Sequence, residues 1–261
     1  MNDFEPKAIA VPVLTILYQD EYLVAIDKPA GMLVHRSFLD KHETVFVLQT
    51  LRNQLGRHVF PVHRLDRPTS GILVFALSAE IARLLTEQQQ QQGWHKLYLA
   101  IVRGYVKEAM FLDYPLQEQL DDIADKKARQ DKVAQSAQTW IWPLAQTELP
   151  IAAGRYATAR FSLVALQPLT GRKHQLRRHM AHLRHPIIGD TTHGDGKQNR
   201  AFAGYTGVEQ LLLRAMTLQF KHPVFERPLL IQAGFADLTP LLQQLSWLEN
   251  AQKYDEKMLF V

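Results

Sequence analysis

No cysteine occurs among the 261 residues, which excludes disulfides, thiolate catalysis and cysteine-ligated metals and fits a reducing compartment. Long apolar runs are also missing: no stretch approaches the roughly 18–20 apolar residues that a membrane-spanning helix needs. The first twelve residues carry one basic side chain, Lys7, and lack the apolar core of a secretory signal, so a soluble cytoplasmic protein with no membrane partner is expected. Internal repeats and compositionally distinct halves are absent as well. The simplest division is a polar lead over 1–12, a single domain over 13–255 and a short tail over 256–261. What the chain does have is an ordinary globular composition, 46% hydrophobic and 21% charged, which can bury a sizeable core. Thirty Lys and Arg against 26 acids give a net charge of +4 and a pI near 9.2, compatible with a polyanionic partner.

Apolar alternation and turn residues predict strands over 14–18 and 22–26, then a Lys28-Pro29-Ala30-Gly31 turn with the strand pattern resuming over 32–34. Helical spacing of Val45, Val47, Leu48, Leu51 and Leu55 predicts a helix over 43–55, stopped by Gly56. A second helix is expected over 79–92, capped by Ser78 and ended by Gly93, with the run Gln88 to Gln92 read as a good helix former filling its solvated end rather than as a polar interaction surface. Strands follow over 95–104, 139–142 and 157–166, a polar charge-mixed excursion over 117–138, late strands over 210–218 and 229–233, and a last helix over 238–250.

Two stretches carry chemistry. In His63-Arg64-Leu65-Asp66-Arg67-Pro68-Thr69-Ser70-Gly71, an acid sits between two arginines, and Pro, Thr, Ser and Gly then form a tight turn into the apolar run 72–77. Such an exposed carboxylate suits a nucleophile, a base or an electrostatic stabiliser, and equally a solvated surface ion pair. The second is Thr170-Gly171-Arg172-Lys173-His174-Gln175-Leu176-Arg177-Arg178, where Leu176, Met180 and Leu183 share one helical face and the other faces carry Arg and His. From Arg172 to Arg200 seven Lys and Arg stand against Asp190 and Asp195, a charge excess that would bind phosphates by counterion release. A metal site built from His179, His182 and His185, or from His185, Asp190 and His193, is the rival reading. The crowded cations and a spacing unlike zinc motifs argue against it.

Both stretches, together with Lys96-Leu97-Tyr98-Leu99-Ala100-Ile101-Val102-Arg103-Gly104 and the Lys28 to Gly31 turn, resemble the motifs of the RluA-type RNA pseudouridine synthases, in the same order along the chain. The resemblance implies an α+β fold, a long bent, mostly antiparallel mixed sheet flanked by helices with a central RNA-binding cleft. It implies Asp66 as the catalytic residue, Arg64 as the support of a flipped nucleotide, Tyr98 as the ring against the target base and Arg177 as the partner of Asp66. RNA contacts fall to Arg67, Arg172, Lys173, His174, Arg178 and Arg184, and neither a cofactor nor a metal is expected. Because the motifs begin near the first residue, no preceding S4 domain is expected. The partner implied is RNA, above all a uridine in the T-arm stem of tRNA, with ribosomal RNA, or a dual specificity for both, as the alternative. No obligate protein partner is implied, and the protein is expected to be a monomer. Lys173, His193 and Arg214 depart from the family's usual Thr, Tyr and His and bear on substrate choice. Outside the family, a nucleoside or glycoside hydrolase would want paired carboxylates, and a catalytically silent RNA binder would need the basic tract without Asp66.

Overall fold

Alternating apolar side chains and turn residues build a sheet whose two halves meet beside the Asp66 stretch. The computed structural model describes residues 12–36, 43–117, 133–153 and 156–257. Among these, the strands are β1 (Thr15–Gln19), β2 (Leu23–Lys28), β3 (Phe60–Pro61), β4 (Ser70–Ala76), β5 (His95–Arg103), β6 (Met110–Asp113), β7 (Gln138–Leu149), β8 (Ala159–Pro168), β9 (Leu213–Lys221) and β10 (Pro228–Gln232). They form one sheet in the order β1-β2-β4-β9-β5-β8-β7-β6, with β3 added to β4 and β10 to β9. Every pairing is antiparallel except β4 with β9, which run parallel and touch only at Ser70 with Arg214 and Gly71 with Ala215. Beyond that point the two strands part, β4 to pair with β3 and β9 with β10. This is the mixed, mostly antiparallel α+β architecture expected from the sequence.

Helices cover both faces. Val47 and Leu51 of α1 (Val47–Leu55) pack on Val24, Ile26, Leu73 and Phe75, while Ile81 and Leu85 of α2 (Ala79–Gln90) pack on Leu23, Ala25, Val74 and Ala76 from the opposite face. Across the other half, Leu176 and Met180 of α3 (Gln175–His182) join Ala100, Val102, Val164 and Leu166. Phe202 of α4 (Gly196–Thr206), Leu241 and Leu242 of α5 (Thr239–Gln244) and Ala251 of α6 (Leu248–Lys257) cover Leu99, Ile101, Phe161 and Leu163 behind them. Alternation along β5 thus feeds two cores at once.

Several expectations shift for identifiable reasons. The first helix starts at Val47 rather than at 43, with Gly56 in the left-handed region as its stop. Leu33 makes a single bridge to Phe46 rather than a strand. The strand expected over 139–142 extends to Leu149 because Pro143 is absorbed at a register shift opposite β8. No sequence expectation covered β6 or α4. The latter has weak periodicity but complete caps, with the Asp195 side chain accepting from the Lys197 and Gln198 amides and Gly207 at φ 77°. The single helix expected over 238–250 is split at Ser246, whose φ is 58°. The segments 1–11, 37–42 and 258–261 and most of the 117–138 excursion lie outside the described residues. The stem of that excursion is closed by paired backbone bonds between Leu116 and Gln135.

The seam explains one glycine. Gly71 has φ 106°, and a Cβ there would stand 2.2 Å from the Ala215 carbonyl oxygen. Neither strand can withdraw, because each is paired on its other side. Gly71→Ala is therefore expected to cost more than about 3 kcal/mol, well beyond the typical substitution. Denaturant unfolding measures this, and a change within about 0.5 kcal/mol would contradict the close approach of β4 and β9.

Candidate active site

Asp66 lies just before β4, in a turn closed by the Thr69 amide donating to the Asp66 carbonyl at 3.0 Å. The turn is fastened from below by Lys28, fully buried, whose ammonium donates to the carbonyls of Pro29 (2.8 Å), Arg67 (3.0 Å) and Thr69 (2.8 Å). Burial lowers the Lys28 ammonium to about 7, with the Asp66 charge working against that fall. The Gly31 amide donates to the Arg67 carbonyl, so the Lys28 to Gly31 turn and the Asp66 turn are one unit. Asp66 itself keeps 21% of its side-chain exposure and faces a cleft of about 680 Å³.

On the far wall α3 delivers Arg177, whose side chain is only 4% exposed. Its Nε and Nη2 each donate at 2.8 Å to the two oxygens of Asp190, and its Nη1 donates to Asp66 Oδ2 at 3.4 Å. Burial alone would lower the guanidinium's pKa, but the bonds and charge of Asp190, then the charge of Asp66, carry it above its ordinary value. Burial would raise Asp190, and Arg177 together with the amides of His193 and Thr192 pulls it below the usual carboxylate range. Asn199 holds that loop by accepting from the Gly189 amide and donating to the Asp190 carbonyl.

Around this centre Tyr98 of β5 lines the cleft, its phenol held well above its ordinary value by burial and by the Asp66 charge. His174, in the left-handed region at φ 55°, places Nε2 3.8 Å from Asp66 Oδ2 and shares a 3.0 Å hydrogen bond with His193. Burial lowers both imidazoles. His63 accepts the Val74 amide on Nε2 and stands edge-on to Trp94, which makes it part of the wall. Arg214, buried in β9, spans the seam to Asp27 at 2.5 Å and to the Gly234 carbonyl.

The structure gathers Arg64, Asp66, Tyr98, Arg172, Lys173, His174 and Arg177 around one cleft. Arg64 is exposed there, with no ion pair among the described residues. It does not bring Arg67, Arg178 or Arg184 into that wall. Arg67 pairs with Glu43 and donates to the Gly31 carbonyl, Arg178 is half-buried near Tyr114, and Arg184 is exposed just past the end of α3. The histidines of the metal reading are engaged by protein. His179 donates to the Tyr114 carbonyl and accepts from Thr139, His182 stacks on Tyr114 at 3.7 Å, and His185 donates to the Arg103 carbonyl. Sequence reasoning missed Lys28 and Asp190 as supports of Asp66 and Arg177. It also missed Gln175, whose amide bonds Thr170, Arg172, Gln138 and Thr139 and shapes the loop before α3. Asp190 carried a signal, a glycine followed by an acid beyond a helix rich in arginine, but nothing local said which cation it would meet.

Residues 22–182 match the family model described as RNA pseudouridylate synthase. The chain is 61% identical over 239 residues to a tRNA pseudouridine synthase C of Vibrio cholerae, covering 91% of this chain and 98% of that one. It is 56% identical over 236 residues to the protein of the same name from Haemophilus influenzae, covering 90% and 99%. Among solved structures, human RNA pseudouridylate synthase domain containing 4 superposes with a TM-score of 0.67 at 27% identity, covering 89% of this chain and 93% of that one.

The Arg177–Asp190 pair generates two expectations. Asp190→Asn leaves a buried guanidinium without its anchoring charge and should cost about 3–5 kcal/mol, read by chemical denaturation, while an unchanged midpoint would mean the pair is not buried as described. Because Asp190 titrates below its ordinary 3.8, the stability it confers is fully present above that pH. It is lost as pH falls through the lower folded value. Wild-type stability should therefore drop on the acid side by more than that of Asp190→Asn, a difference that parallel pH titrations of the unfolding midpoint would detect.

Proposed function

The chain belongs to the RNA pseudouridylate synthase family, and from that premise we propose that it converts uridine to pseudouridine in tRNA, at a position in the T-arm stem. The observation that carries the reaction is the lone carboxylate: among the described residues Asp66 is the one acid lining the cleft, and guanidinium and imidazole groups surround it. A glycosidase-type hydrolysis would want a second carboxylate across the scissile bond, and the next acid, Asp190, is sealed behind Arg177.

In this reading the target base leaves the helical stack, at a cost of a few kcal/mol. Arg64 takes the space it vacates, and the base lies against Tyr98, a contact worth on the order of 1–3 kcal/mol. The bond from ribose C1′ to uracil N1 breaks, the base turns, and C1′ bonds to C5. The C5 proton is released and N1 gains one, so substrate and product are isomers. Two routes are open to Asp66: attack at C1′, or removal of the C2′ proton to give a glycal. Arg177 holds the carboxylate in either case. Hydride, phosphate and water play no net part, so the reaction requires no cofactor. Arg172, Lys173 and His174 face the cleft and would meet the RNA backbone. Among the described residues no helix is long and apolar enough to cross a membrane. We place the protein in the cytoplasm with its tRNA substrate, acting as a monomer through a single catalytic domain over 13–255.

Pooled tRNA and ribosomal RNA incubated with the protein should gain pseudouridine at a T-arm uridine of tRNA, read by mapping the modified sites. Asp66→Asn should abolish conversion while keeping RNA binding largely intact. A wild-type protein that changes no uridine, or that releases free uracil, would defeat the proposal. Affinity for tRNA should also fall steeply with salt as several phosphates exchange for counterions, and a flat dependence would remove the basic wall from the interface.

A further inference from the structure

The cleft runs on past the Asp66 centre along the face of β5 that carries Tyr98. Lys96 lies two residues earlier in the same strand, so its side chain leaves on the same face about 7 Å further along, and both residues line the cleft. Its surroundings are unusual for a cation. Among the described residues its ammonium has no hydrogen bond and no ion pair, and its recorded contact is the Trp94 ring, with the centroid 5.6 Å away. Burial lowers it to about 8, and no neighbouring acid counters the fall. Other cations of the chain are treated differently: Lys28 is met by three carbonyls, Arg177 by two carboxylates and Arg214 by Asp27. The cleft lining also includes Gln89, Gln90 and Gln92, amides with no charge to give. A half-enclosed ammonium without a counter-ion costs folding free energy, which an anion entering the cleft would recover.

We propose that Lys96 is a phosphate-binding residue, its ammonium taking a backbone phosphodiester of the RNA strand beside the nucleotide whose base rests on Tyr98. This rests on the RNA reading above, and it adds a cationic contact to those of Arg172 and Lys173 in the same cleft. One alternative is mechanical: the aliphatic stem of Lys96 merely covers Trp94.

The test uses the full chain carrying Asp66→Asn, so that binding is measured without turnover, with Lys96→Met or Lys96→Arg added. Lys96→Met keeps the stem and removes the charge. Affinity for tRNA is measured across a salt series, with the unfolding midpoint of each variant as a control. The expected result is weaker binding by Lys96→Met with a log affinity against log salt slope shallower by about 0.7–0.9, the loss of one phosphate contact. Lys96→Arg should restore the slope. With Asp66 intact, Lys96→Met should raise the tRNA concentration for half-maximal rate more than it lowers the saturating rate. An unchanged slope, or a Lys96→Arg protein no better than Lys96→Met, would overturn the assignment in favour of packing. A wild-type protein that binds tRNA but forms no pseudouridine would overturn the reaction while the slopes still judged Lys96, and one that binds no RNA would overturn both.

Discussion

A guanidinium buried to within a few per cent of complete enclosure is costly to leave without a counter-charge, and the site is arranged around satisfying it. Arg177 spends two of its donors on Asp190, which lies in the loop after α3 and is itself fixed by backbone amides and by Asn199 from α4. What is left over, Nη1, is the group that meets Asp66. The pairing therefore sets the position of a helix, a loop and a carboxylate together. Loosening any one of them would leave a charge in a low-dielectric site without its complement.

The second constraint is the seam of the sheet. Two antiparallel arrays meet through one short parallel contact, close enough that only a glycine fits at position 71. The same few residues carry the Asp66 turn on one side and Arg214 on the other, and Arg214 reaches across β4 to Asp27 of β2. Lys28, paired in register with Gly71, ties the turn from beneath. The placing of Asp66 and the assembly of the sheet thus draw on one set of contacts, which ties this carboxylate to the strand pairing of the seam.

Much of this was legible in the sequence because it was written locally. Period-two and helical spacing located most of the strands and helices, and Ser78 and Gly56 marked helix ends where the structure has them. The run from His63 to Gly71 announced its own turn, and the resemblance set Asp66, Tyr98 and Arg177 at one site, as the fold does. Less legible was whatever depends on distant partners. Asp190 meets Arg177 only through the fold, Lys28 finds its carbonyls across the sheet, and Arg67, flanking Asp66 in sequence, turns to Glu43 instead. The Gln88 to Gln92 run looked like a solvated helix end, yet three of its residues line the cleft, which no periodicity could reveal. β6 and α4 went unread because short or weakly amphipathic elements give little signal beyond their caps.

The seam has one more consequence, which concerns the order of events during synthesis. Ser70 and Gly71 leave the ribosome long before Arg214 and Ala215, and Asp66 long before Arg177. A nascent chain therefore carries the carboxylate without the cation that holds it, and it has no floor for the cleft until the last third has been made. Pairings between such distant segments close late and slowly, so a truncated or half-folded molecule has no assembled centre to turn on RNA.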